Sequence, residues 1–236
     1  MSNNRPIQLV LKGTFNPPVL ASIKLLDQVT AQVAQATGRS VNGLLVPIND
    51  RHLDSLYAGR IKFPFDLRHQ MCEGICTGTG FAVSDIARHV PDSRDNLALL
   101  TALSQKDPDS DYWLLLDYDM IRKARNNARI DGILDRFGIV ILSAAWSTPS
   151  VKNAVKKDAV LSKHPDRVLV LPGNQFKTCQ NQSNLMRAAW SAGNYDDLAA
   201  GCGFMATTML WYYEMHGNRF DGISNYQRWI RCGKED

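Results

Sequence analysis

A glycine-led turn near the start of the chain contains residue types that commonly bind phosphate groups. After a short apolar run, Lys12 and Gly13 are followed by Thr14, Phe15 and Asn16, and then by two prolines. Phosphate sites use backbone N–H groups near a helix amino terminus, and glycine lets the backbone approach the ligand closely. The turn therefore predicts an anion site formed by its backbone amides, with the Asn16 side chain as a cap or ligand. A tight turn that only docks the following helix is the alternative.

A second group of candidate residues follows two later apolar runs. Asp117 and Asp119 come directly after the run at residues 113–116. They flank Tyr118 at the carboxyl end of a strand, where their carboxylates point to the same side and could bind Mg²⁺ or ribose hydroxyls. Trp146 lies in the loop after the run at residues 138–142. Its ring could stack on an adenine or pyridine ring, and plain burial is the alternative.

The elements that must position these residues alternate along the chain. Short β-branched or leucine-rich runs predict strands at residues 7–12, 41–47, 80–86, 113–116, 138–142 and 167–171. Helical periodicity predicts helices at residues 20–37, 65–76, 96–104, 131–136, 184–192 and 204–215. Such alternation predicts an α/β fold, a Rossmann-like parallel sheet with helices on both faces, whose ligands bind at the carboxyl ends of the strands.

The composition is that of a globular protein with a mild positive charge. The chain has 236 residues, of which 44% are hydrophobic and 21% are charged, and its formal net charge is +4. This balance excludes wholesale disorder and a nucleic-acid binder that depends on a basic tail. Since no repeat or linker is visible, the simplest organisation is one domain over residues 1–217 and a C-terminal tail over residues 218–236.

The sequence also predicts an intracellular protein that does not contact a membrane. No apolar run approaches the roughly 18–20 residues that a membrane span needs. The first apolar run is too short for a signal peptide. The five cysteines have no regular spacing, which favours reduced thiols. The cytoplasm is the expected location, and the nucleus is left open.

Several segments resemble the HxGH-type nucleotidyltransferases, and among them the nicotinamide mononucleotide adenylyltransferases most. G-T-F-N-P-P at residues 13–18 is similar to the signature loop of that family. The ordered matches that follow are V-P-I-N-D-R at 46–51, L-L-L-D-Y-D-M at 114–120, K-H-P-D-R-V-L-V-L at 163–171 and Q-S-N-L-M-R at 182–187. The resemblance implies the nucleotidyltransferase type of fold. It adds Asn49, Ser183 and Arg187 to the candidates for nucleotide contact, with a surface salt bridge as the alternative for Arg187.

The chain departs from the family pattern where the family has its histidines. The family loop continues with His or Thr and then, three residues on, with His, and these positions hold Val19 and Ser22. The second histidine is the family's main catalytic side chain, whereas Ser22 can donate a hydrogen bond but has no charge. Lys12 replaces a residue that is often glycine in the family, and its ammonium could contact the phosphates. The predicted catalytic residues are therefore Ser22 and Arg187, at positions that match the family's motifs, and Lys12, whose charge could compensate for the missing histidine.

Two other groups of residues have weaker or simpler interpretations. Asp50, Arg51 and Arg68 are secondary candidates for nucleotide contact, because charged loop residues are usually solvated. The cluster at residues 211–213, together with Phe204 and Met209, is predicted to be core packing of the last long helix.

The predicted function is transfer of AMP from ATP to a nicotinamide mononucleotide-like acceptor, giving NAD and pyrophosphate. Mg²⁺ would enter with ATP, and no metal ligand set within the protein is predicted. Expected partners are ATP and a nucleotide monophosphate or NAD, and self-association into a homo-oligomer is left open. Two alternatives remain: a catalytically impaired NAD- or ATP-binding module that acts as a sensor or interaction protein, and a pocket repurposed for ATP hydrolysis.

Overall fold

The computed structural model describes residues 5–124, 129–144, 146–220 and 227 of the chain. Within these residues one parallel sheet is formed by β1 (Ile7–Gly13), β2 (Val41–Pro47), β3 (Ala82–Val83), β4 (Asp111–Asp117), β5 (Gly138–Leu142) and β6 (Val168–Leu171). The strand order is β3-β2-β1-β4-β5-β6. Because the order reverses between β1 and β4, the loops that follow these two strands run in opposite directions and leave a crevice between them. Such a crevice is the usual ligand position in open α/β sheets.

Helices cover both faces of this sheet. They are α1 (Leu20–Thr37), α2 (Asp50–Leu56), α3 (Phe65–Cys76), α4 (Asn96–Lys106), α5 (Tyr118–Ala124), α6 (Arg129–Leu134), α7 (Thr148–Lys157), α8 (Asn174–Ser191), α9 (Tyr195–Cys202) and α10 (Phe204–Met215). Ile7, Leu9 and Leu11 of β1 pack toward α1, α3, α8, α9 and α10. Val10 packs toward α4, α5, α6 and α7 on the other face. Successive strand residues alternate between the faces, so both faces are buried.

Helix α1 begins shortly after the glycine-led turn and has no side-chain cap at its amino terminus. Val19, which precedes the helix, has extended backbone. At the other end Gly38 adopts a left-handed conformation with φ of 66°, and its N–H donates to the carbonyl oxygen of Ala34. Glycine is favoured at such a position because it has no side chain to clash. The uncapped first turn of α1 directs the positive end of the helix dipole toward the carboxyl edge of the sheet.

The predicted α/β fold, with a parallel sheet and helices on both faces, is confirmed. The bounds of α1, α3, α10, β2 and β5 agree with the sequence-based ranges. The third strand is shorter than predicted, because residues 86–88 form a 3₁₀ turn. Helix α8 starts at Asn174 rather than at Asn184. Helices α2 and α9 were not predicted.

Helix α10 places its aromatic residues both inside and outside the core. Tyr212 and Tyr213 are buried, as predicted. Phe204 is 80% exposed and Trp211 is 42% exposed, so the prediction of a fully buried cluster is wrong for these two residues. The physical reason is that α10 packs through one side only, against α3 and α9.

The C-terminal tail predicted over residues 218–236 lies outside the described residues, except for positions 218–220 and 227. Among the described residues, no helix combines the length and the apolar character needed to cross a membrane. The two apolar clusters that flank the sheet form the core of the described part of the chain.

Candidate functional site

A cavity of about 430 Å³ lies at the carboxyl ends of β1 and β4, where the strand order reverses. Small-molecule sites typically occupy about 300–1,000 Å³. The turn after β1 forms one wall, and α1 and α8 form two others. Six of the residues predicted from the sequence line this cavity: Lys12, Gly13, Thr14, Phe15, Ser22 and Ser183.

The turn after β1 presents backbone amides rather than side-chain charges to the cavity. Within the described residues, the N–H groups of Thr14 and Phe15 have no protein acceptor. Phe15 has a positive φ of 44°, and its ring folds back onto Gly13. A side-chain carbon at position 13 would lie 3.3 Å from that ring, a tight contact that would require the ring to shift by a few tenths of an ångström. The ring narrows the cavity without filling it, and the two amides can bind an anion.

The Arg68 guanidinium supports the turn from behind. It is fully buried and donates to the carbonyl oxygens of Phe63 at 2.9 Å, Thr14 at 2.7 Å and Ile48 at 2.8 Å. It also donates to the Asp50 carboxylate at 2.9 Å. Burial lowers the pKa of Arg68, and the Asp50 carboxylate opposes that shift. Arg68 therefore contacts the turn and not the cavity, in contrast to its predicted place as a loop residue near the nucleotide.

The Asn16 side chain is used entirely within the protein. Its Nδ2 donates to the carbonyl oxygen of Ile61 at 2.8 Å, and its Oδ1 accepts from the N–H of Phe63 at 2.8 Å. The residue is fully buried, and Val19 rather than Asn16 precedes α1. The structure thus assigns Asn16 to holding the turn against the segment before α3, and does not place its amide in the cavity.

Arg187 and Ser183 of α8 bind the same turn on its carbonyl side. Arg187 donates to the carbonyl oxygen of Asn16, to Ser183 Oγ at 3.2 Å and to Asn184 Oδ1. Its guanidinium lies 4.8 Å from the centre of the Tyr57 ring. The alternative of a surface salt bridge is wrong, because Arg187 is buried and no carboxylate of the described residues lies within 4.0 Å of it. Arg187 positions the turn, and Ser183 also lines the cavity.

Lys12 extends from the end of β1 into a polar corner beside the cavity. Its Nζ donates to the carbonyl oxygen of Ser93 at 3.0 Å and to Asn96 Oδ1. Burial lowers the pKa of Lys12 from 10.5 to about 8, while the negative charges of Asp92 and Asp95 act in the opposite direction. An ammonium in this position can bind a phosphate, provided that it is protonated.

Ser22 lies on the first turn of α1 and is buried. Its side chain lies near the Cys179 thiol, and both residues line the cavity. Burial raises the pKa of Cys179, so the group is a neutral thiol near pH 7. At the place where the family that the sequence resembles has a catalytic imidazole, this chain thus has two neutral side chains.

Two of the predicted nucleotide-contacting residues cap short helices. Asn49 precedes α2, and its Oδ1 accepts from the N–H of His52 at 2.9 Å. Asp117 precedes α5, and its Oδ1 accepts from the N–H of Met120 at 2.6 Å. The structure brings neither side chain into the cavity. Their polar type is explained by the preference of helix amino termini for Asn and Asp.

Asp119 and Trp146 meet each other outside the cavity. The prediction that Asp117 and Asp119 point to one side is wrong, because β4 ends at Asp117 and Asp119 lies in helix α5. Trp146 Nε1 donates to Asp119 Oδ1 at 3.1 Å, and its ring lies 4.9 Å from the Arg122 guanidinium carbon. Trp146 is 42% exposed and does not line the cavity. Its stacking on a base therefore stays a prediction.

Sequence reasoning missed several residues that form or support the cavity. Tyr57 and Cys179 line it, and Asn96 and Ser93 hold the Lys12 ammonium. None of these residues belongs to the quoted motifs. Tyr57 follows a short helix that the apolar pattern did not reveal, so no sequence signal pointed to it.

Two solved structures of Plasmodium falciparum nicotinic acid mononucleotide adenylyltransferase are similar to this chain. The structure complexed with APC has a TM-score of 0.60 and 13% sequence identity, over 91% of this chain and 98% of that chain. The structure complexed with NaAD has a TM-score of 0.61 and 15% identity, with the same coverage. No family model and no curated protein matches the sequence.

The similarity to these enzymes establishes the fold over nearly the whole chain. Both neighbours are adenylyltransferases, and each match covers 98% of the neighbour's chain. Sequence identities of 13% and 15% do not determine a substrate or a reaction. The function must therefore be argued from the cavity.

Proposed function

We propose that this chain binds ATP in the cavity and transfers its AMP group to a nicotinamide mononucleotide-like acceptor, giving NAD and pyrophosphate. The observation that carries the proposal is the pair of unpaired amides at Thr14 and Phe15, which line one cavity together with Lys12 at the point where the strand order reverses. Amides and an ammonium together suit a polyphosphate. The likeness in fold to adenylyltransferases supports the same reaction class.

The reaction needs no nucleophile from the protein. A phosphate oxygen of the acceptor attacks the α-phosphorus of ATP and forms the new P–O bond, while the bond to the β-phosphate oxygen breaks and pyrophosphate leaves. The amides of Thr14 and Phe15 orient the phosphates, and Lys12 stabilises negative charge that develops during transfer. Arg68 and Arg187 act through the turn, because their hydrogen bonds go to its carbonyl oxygens.

Mg²⁺ belongs to the substrate in this proposal. The cavity lining contains no carboxylate among the described residues, so the ion is assigned to the phosphates of the substrate in this proposal. Mg²⁺ commonly binds phosphate oxygens and water. The substrate is accordingly written as the magnesium complex of ATP.

The proposal is tested by product formation with two substrates. We expect the purified chain, given ATP, Mg²⁺ and nicotinamide mononucleotide, to release pyrophosphate and to form NAD in equal amounts, measured by coupled absorbance and by chromatography. Omission of the acceptor should stop pyrophosphate release. Phosphate release from ATP alone would favour the ATP-hydrolysing alternative, and the absence of every product would contradict an enzymatic role.

A second candidate function, a binding module without catalysis, is favoured by the neutral pair Ser22 and Cys179. Ser22→His places an imidazole donor in the cavity next to the phosphates. We expect about a tenfold gain in NAD formation if the site is a weakened transferase, because a single positioned donor can contribute two to three orders of magnitude in an optimised site.

Ser22→Ala is the matched control, since it removes the hydroxyl and adds no donor. It should leave the rate within about twofold of the unmodified chain. If Ser22→His gives no gain, while ATP or NAD raises the melting temperature without being consumed, the binding module is the better description.

A further inference from the structure

Lys12 lines the cavity, and its ammonium is held by uncharged oxygen atoms of two residues outside the cavity lining. Its Nζ donates to the Ser93 carbonyl oxygen at 3.0 Å and to Asn96 Oδ1. Within the described residues no carboxylate oxygen lies within 4.0 Å of Nζ, and the third N–H donor has no protein acceptor. The negative charges that act on this largely buried cation, those of Asp92 and Asp95, offset its burial only in part, so a bound anion stabilises it further.

The acidic groups near Lys12 are engaged by other residues. The Asp92 carboxylate accepts from the Arg94 guanidinium and backbone N–H, which lowers the pKa of Asp92 to about 2. The Asp95 carboxylate accepts from two N–H groups in the first turn of α4. Burial, with the charges of Lys12 and Arg94, lowers the pKa of His52 to about 4, so His52 is neutral at pH 8.

We propose that Asn96 is a positioning residue for nucleotide binding: its neutral oxygen fixes the Lys12 ammonium at the cavity edge and leaves its charge for the phosphates. Asn96 is the first residue of α4, and Asp95 before it is the helix cap, so Asn96 is not needed as a cap. An aspartate at position 96 has nearly the same shape as Asn96 and would place a negative charge next to the Lys12 ammonium. The inference rests on the nucleotide site of the proposed function, and not on the transfer step.

Proton uptake during binding follows from this arrangement. Burial lowers the pKa of Lys12 to about 8, so about half of the molecules carry a neutral amine at pH 8. A phosphate beside Nζ favours the charged form and raises the pKa of Lys12 in the complex. The complex therefore binds more protons than the free protein, and affinity falls as pH rises above about 8.

Titration calorimetry with the magnesium complex of ATP at pH 8, in two buffers of different ionisation enthalpy, tests the inference. The unmodified chain should take up as much as about half a proton for each ATP that it binds. Asn96→Asp should bind about tenfold more weakly and take up almost none, because its lysine is already charged and paired. Asn153→Asp makes the same charge change on the exposed side of α7, away from the cavity, and should bind like the unmodified chain.

The melting temperature without ligand separates positioning from a merely structural role. Asn96→Asp should melt at the same or a higher temperature, since the new carboxylate pairs with Lys12 and lies at a helix amino terminus. Two results would overturn the inference and leave the nucleotide site intact. One is that Asn96→Asp binds ATP as tightly as the unmodified chain, and the other is that the unmodified chain binds ATP without taking up protons. No binding of ATP overturns both. Binding with proton uptake but without NAD formation supports the inference and contradicts only the transfer reaction.

Discussion

The substitution Arg68→Met is expected to lower the free energy of unfolding by about 3–5 kcal/mol. The methionine fills most of the volume but leaves the carbonyl oxygens of Thr14, Ile48 and Phe63 without their donor. Buried acceptors that lose their partner cost about 1–3 kcal/mol each, and partial relaxation reduces the sum. Asp50 contributes less to the loss, because its side chain is 52% exposed and water can replace the guanidinium.

Urea unfolding monitored by circular dichroism and by tryptophan fluorescence measures this loss. Arg51→Met is the matched control, because Arg51 is exposed and has no such contacts; its effect should stay within about 0.5 kcal/mol. Arg68→Lys should fall between the two, since lysine restores a charge but not the planar set of donors. A loss below about 1 kcal/mol for Arg68→Met would mean that the turn has other sufficient support.

The polar side chains around the turn explain why its amides face the cavity. Arg68 and Arg187 donate to the carbonyl oxygens of Thr14 and Asn16, and the Asn16 amide anchors the turn to the segment before α3. Because the carbonyl side is satisfied by these donors, the N–H side is left for a ligand. Two buried arginines thus hold the turn through its carbonyl oxygens, and in the proposed function they act without contacting the phosphates.

The sequence predicts the frame of this fold well, because its signals are local. The strands β1, β2 and β5 are nearly continuous apolar runs, as strands buried on both faces must be. Helix α1 has an apolar stripe and ends at a glycine with positive φ, so both of its ends could be predicted. Short helices that begin with an Asn or Asp cap, such as α2 and α5, have too few residues to display periodicity.

The site is predictable only where its residues are adjacent in the chain. Gly13, Thr14 and Phe15 follow one strand, and their backbone chemistry can be inferred from type and order. The contacts of Lys12 with Asn96 cannot be inferred in this way, because they join residues 84 positions apart that the parallel topology brings together. Long-range contacts of this kind decide whether a charged residue points at the ligand or at the protein.

The substitution Lys12→Met is expected to lower kcat/KM for NAD formation by roughly 100- to 1,000-fold. Lys12 is the one residue with a cationic side chain that lines the cavity among the described residues, so its removal is expected to take away the strongest side-chain stabilisation of the phosphates. Methionine retains most of the apolar volume of the lysine, so packing against the end of β1 should be preserved. The melting temperature of the variant, measured alongside the rate, checks this.

Lys24→Met is the matched control for the charge itself. Lys24 lies on α1 but is exposed and does not line the cavity, so the same loss of one positive charge there should change kcat/KM less than about twofold. The comparison separates a local contact with the phosphates from a general effect of net charge. If Lys12→Met and Lys24→Met have equal rates, the amides of Thr14 and Phe15 must supply the stabilisation without Lys12, and the ammonium would serve only to join β1 to α4.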